Sequence, residues 1–133
     1  MSVKDLTDDI AVVPASGLNR LYRLLNTIDF SVTNVNAADV VDVLAVPSNT
    51  CVKDVFVVVN TPEGSTATAT VNDYTTSPAY ISSVNINSLG TTQDSLTKGR
   101  TYTQQHNLHF VPANNLANAN VTFIAFCEDL NDN

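Results

Sequence analysis

The chain has 133 residues, 44% of them hydrophobic, which is one domain with enough apolar material for a core and excludes wholesale disorder. Its net charge is −7, its pI is near 4.3, and its 6 Lys and Arg are scattered, so it lacks the basic patch that nucleic acid or an anionic membrane surface requires. No apolar run is long enough to span a bilayer, and Lys4 is followed by Asp5, Asp8 and Asp9 where a secretory signal needs an apolar stretch.

Residues 1–19 read as an N-terminal arm. Its start is acidic, its end is Pro14-Ala15-Ser16-Gly17, and Ile10-Ala11-Val12-Val13 between them is too short to fold alone. Residues 20–133 read as one domain. Residues 20–32 are ambiguous: with Leu18 just before them, Leu21, Tyr22 and Leu25 fit helical spacing. Tyr22, Leu24, Ile28, Phe30 and Val32 fit a strand with only Asn26 breaking the set. Thr27, Ile28, Phe30 and Val32 favour extended chain, so a strand is predicted.

Residues 39–62 are the richest in β-branched side chains. They read as a hairpin: a strand over 39–46, a connection Pro47-Ser48-Asn49-Thr50, and a strand over 51–60 with Val55, Val57 and Val59 on one face and Phe56 and Val58 on the other. Thr61-Pro62-Glu63-Gly64 is a turn. Residues 67–73 then alternate, with Ala67, Ala69 and Val71 facing a bulky partner such as Phe56 and Thr68 and Thr70 facing water. Strands follow at 80–86, 100–104 and 107–111, with residues 87–99 the longest irregular stretch. Residues 112–118 are a turn, and 119–127 close the sheet with Val121, Phe123, Ala125 and Cys127 on one face. About eight strands, turn punctuation and no confident helix predict an all-β antiparallel two-sheet sandwich, jelly-roll-like, with an extended arm.

Chemistry-bearing residues do not assemble into a catalytic or metal site. His106 and His109, three apart on a strand, are expected on opposite faces, and Asn107 between them is a poor ligand. Cys51 and Cys127 lack CxxC spacing and read as small buried hydrophobes. Asp39, Asp42 and Asp54 read as solvating, edge-protecting charges. Asp8-Asp9 and Glu128-Asp129 lack the calcium-loop pattern. With 4 glycines, none spaced as a phosphate loop, and no GxSxG, no cofactor and no enzymatic activity are expected. Asn120-Val121-Thr122 matches a glycosylation triplet by chance, inside a predicted strand.

The succession YRL…TIDFS, ADVVDVLAVPSNTCVKDVFVVVNTPEG, STATATVND, VNINSLGTT and ANVTFIAFCEDL resembles the capsid decoration, or cement, proteins of tailed bacteriophages across residues 22–130. The most specific part is residues 39–64. The resemblance implies a jelly-roll-like homotrimer, made in the host cytoplasm and placed on the capsid surface of the virion. Its partner there would be the major capsid protein, whose joints it stabilises. The assembly contacts expected are Ile10, Val12 and Val13 in the arm, with Tyr74, Tyr80 and Leu96 in the loops. Two other readings stay open: a tail, neck or fibre component, and a carbohydrate-binding sandwich using Tyr74, Tyr80 and Tyr102 as stacking platforms.

Overall fold

A computed structural model describes residues 3–7, 20–74, 79–96 and 99–130. These residues form β1 (Val3–Asp5), β2 (Arg20–Asp29), β3 (Val40–Val46), β4 (Thr50–Thr61), β5 (Thr68–Asn72), β6 (Ile81–Asn85), β7 (Gly90–Gln93), β8 (Arg100–Tyr102), β9 (His106–Pro112) and β10 (Asn120–Asp129). One sheet has the order β1-β3-β9-β5-β6, and the other β2-β10-β4-β7 with β8 also paired to β4. Every pairing is antiparallel except β1 on β3. With β1 and β8 set aside, the first and last strands lie side by side in one sheet and the remaining strands divide between the layers in the jelly-roll order.

Alternation builds the core. Val55, Val57 and Val59 of β4 and Val121, Phe123 and Ala125 of β10 point inward from one sheet. Val41, Ala69, Val71, Leu108 and Phe110 meet them from the other. The two layers are joined by aromatic rings, with Phe110 5.7 Å from Phe30 and 5.0 Å from Phe123 between centroids.

Residues 39–62 are not a hairpin. β3 and β4 belong to opposite sheets. The connection carries the chain from one layer to the other, with Asn49 at φ 54° in the left-handed region that asparagine tolerates. Ala67 and Ala69 do not meet Phe56, because Phe56 lies on the outward side of β4 against Phe126. Within the stretch expected to be irregular, Gly90–Gln93 forms β7 along β4.

Asn26, which broke the apolar alternation of β2, is 4% exposed. Its amide donates to the Leu6 carbonyl at 2.7 Å and to the Val43 carbonyl at 2.8 Å. Val43 falls at the irregularity where β3 slips against β9 between Asp42 and Leu44, so its carbonyl needs a partner from outside that ladder. The same side chain therefore ties the arm, β2 and β3 together.

Candidate interaction surface

The outward face of β2-β10-β4 carries Leu21, Leu25 and Phe126, three of the exposed large apolar side chains among the described residues. The strand register lays its side chains in rows. Leu25, Ile124 and Phe56 form one row, and Arg23, Phe126 and Asp54 the next. Leu21 is 74% exposed, Leu25 43% and Phe126 42%, while Phe126 meets Phe56 edge-on at 5.5 Å. A register shift between Phe126 and Cys127 adds a residue to β4 at Lys53, whose ammonium reaches Glu128 at 3.2 Å. Leu21, Arg23, Lys53, Asp54 and Phe126 rim an open depression here. Toward the other end of the face the rows turn polar: Thr27 bonds Thr122 at 2.8 Å, and Asn60 donates to Thr122 at 2.8 Å and Asn120 at 3.0 Å.

The arm is partly built into the sandwich. Val3–Asp5 pairs with β3, the Leu6 amide donates to the Asp42 carbonyl at 3.0 Å, and Leu6 packs on the core. Ile10, Val12 and Val13 lie outside the described residues. Of the loop positions expected to make contacts, Tyr74 is 58% exposed and has φ 59°, and Leu96 is half-buried against the core. Tyr80 is a correction. It is 1% exposed, so it offers neither an assembly contact nor a sugar platform. Tyr102 is buried as well.

Both tyrosines belong to a polar cluster at one end of the sandwich. The Tyr102 hydroxyl donates to Asp73 Oδ2 at 2.6 Å, so the Tyr80 hydroxyl donates to Tyr102, at 2.7 Å. Arg100 lies over the Tyr80 ring at 4.7 Å and pairs with Asp73 at 3.6 Å. Burial pushes both phenols above their ordinary range. His106 stacks on Tyr102 and its Nε2–H donates to the Asp73 carbonyl at 2.7 Å, while the Nδ1–H of His109 donates to Asp42.

The two histidines were expected on opposite faces, yet their rings lie 6.1 Å apart. His106 is the first residue of β9, where the chain enters from a turn and strict alternation has not begun. Asp42 is also corrected. It is buried beside His109 and Asn107 on a strand covered by β1, and Asp39 is buried and bonds the Asn36 amide, so neither is an edge-protecting charge. Among the described residues, no group of three or more His, Cys, Asp or Glu is placed to hold a metal ion. The cysteines are free thiols: Cys127 is buried, with its pKa pushed up to about 12 by desolvation, and Cys51 is half-buried. The cluster was invisible in the sequence because its hydrogen bonds join residues 22 to 67 positions apart.

No family model matches the chain, and no curated protein sequence matches it. Solved structures do. A chain of the capsid of Ralstonia phage GP4 is similar over 96% of this chain and 99% of its own, at 13% identity and a TM-score of 0.67. A chain of the cyanophage Pam1 capsid matches over 91% and 93%, at 18% identity and a TM-score of 0.64. A chain of the acid-stable capsid of Helicobacter pylori bacteriophage KHP30 matches over 84% and 90%, at 16% identity and a TM-score of 0.62. At such identities the likeness is one of fold.

Proposed function

We propose that this chain is a non-enzymatic structural protein of a phage virion, which binds the assembled shell and stabilises the joints between major capsid proteins. The observation that carries the reading is the jelly roll itself, shared nearly end to end with chains of three phage capsids. The buried polar groups are consistent with it. Asp42, Asp73, His106 and His109 are engaged with one another and with the backbone, as expected of a scaffold. A decoration protein works by adding apolar area across a joint, at roughly 25 cal/mol per Å² before association costs, repeated over every copy on the shell. The arm and the loop at the exposed Tyr74 are the surfaces proposed for that contact.

The test is co-sedimentation of the purified chain with expanded, undecorated capsids. Binding should saturate at a fixed number of copies per shell and raise the temperature at which the shells release DNA. A chain that stays in the supernatant at micromolar concentration removes the reading. Labelled virions imaged by electron microscopy separate a shell position from a tail, neck or fibre position.

A further inference from the structure

We infer that the outward face of β2-β10-β4 is a self-complementary docking surface whose occupant is a second copy of this chain, related by a two-fold axis along β10. The register carries the inference. Phe126 of β10 has Arg23 of β2 on one side and Asp54 of β4 on the other. A two-fold axis lying in the interface along β10 exchanges those sides. Arg23 of each copy then faces Asp54 of the other, and Phe126 lies over its own counterpart. In the next row Leu25 faces Phe56 twice, across Ile124. Such an isologous contact makes each charge pair twice from one arrangement of residues. Facing sheets sit about 10 Å apart, a gap that side chains of this size fill.

The charge distribution favours a second copy over a different partner. The chain carries −7, so two copies repel over most of their surfaces. At this end of the face Arg23 and Lys53 stand against Asp54 and Glu128, two cations and two anions, and the local sum is zero. Arg23 makes no ion pair among the described residues, whereas Lys53 is already held by Glu128. An exposed arginine beside an exposed aromatic, with a carboxylate in the same row, matches its own image without further adjustment. The pairing is two-fold, unlike the trimer implied by the sequence resemblance, and does not depend on where the chain sits in a virion.

Sedimentation equilibrium of the purified full chain, from about 1 to 100 µM, tests it. The wild type should reach the mass of a dimer. Arg23→Asp and Asp54→Arg should each weaken the dimer by roughly tenfold or more, and the double variant should return to within about threefold of wild type, because it rebuilds both pairs with the charges exchanged. Arg23→Ala and Asp54→Asn, which keep the fold and the Gln93 contact, should weaken it in the same direction. A monomer or trimer mass at all concentrations overturns the inference. So do a dimer indifferent to the single reversals and a double variant no better than either. A wild-type monomer that binds capsids through Phe126 overturns it in favour of a shell protein as the occupant, and leaves the proposed function standing.

Discussion

Glu63 shows how one side chain fastens a turn to a distant loop. It follows Pro62 and precedes Gly64, whose φ of 95° suits glycine, so locally the stretch is an ordinary turn. Yet Glu63 is 5% exposed. Its carboxylate accepts the amides of Ala117, Asn118 and Ala119 at 3.0 to 3.1 Å, and the Asn118 side chain returns a bond to the Glu63 carbonyl at 3.1 Å. Consecutive backbone N–H groups converging on one carboxylate make an anion nest, and bonds to a charged group are the stronger kind. Glu63→Ala leaves the buried Ala119 amide and the part-buried amides of Ala117 and Asn118 without their acceptor and should cost about 2–3 kcal/mol, read from urea melts. Glu63→Gln keeps an acceptor oxygen and should cost less. An alanine variant within 1 kcal/mol of wild type would show that water replaces the carboxylate at no loss. The turn was legible in the sequence. Its target was not, because the loop it grips lies 54 to 56 positions away and nothing local marks it.

At the level of elements, alternation was the dependable guide where one face is buried and the other is not. Ala67, Ala69 and Val71 of the β5 stretch, and Val121, Phe123, Ala125 and Cys127 of β10, face inward as their spacing requires. β7 escaped because Gly90–Gln93 buries neither face; it is an edge strand held by backbone bonds to β4, and such a strand carries no apolar period. The supposed hairpin failed for another reason. Two apolar strands joined by a short polar link look alike whether they pair or face each other across a core. Asn26 was the misread clue: it looked like an interruption and is the tie between the arm, β2 and the slipped residue of β3. Asn26→Leu leaves the Leu6 and Val43 carbonyls without that donor and should cost about 2 kcal/mol. The specific consequence is local. Hydrogen exchange at the Leu6 amide, now bonded to the Asp42 carbonyl, should speed up more than exchange in β10. Unchanged relative protection at Leu6 would mean that β1 is held by its pairing to β3 alone.

For the whole molecule, two phenylalanines, one between the sheets and one on an outward face, separate what folds the chain from what the chain can bind. Phe110 touches Phe30 and Phe123 between the layers and is fully buried. Phe126 is on the outward face, with Phe56 as its ring partner. Removing a ring from the core leaves a cavity lined by both sheets, so Phe110→Ala should lose about 3–5 kcal/mol, in a single transition because both sheets share that one core. Phe126→Ala gives up little more than an edge-on ring contact and should lose about 1 kcal/mol. In association the order reverses: Phe126→Ala should abolish the dimer at concentrations where Phe110→Ala, while folded, still forms it. Thermal melts and sedimentation on the same two proteins decide this together. Equal losses of stability would make the outward aromatic pair part of the folding core. A Phe126 variant that still dimerises would move the contact elsewhere on the sandwich.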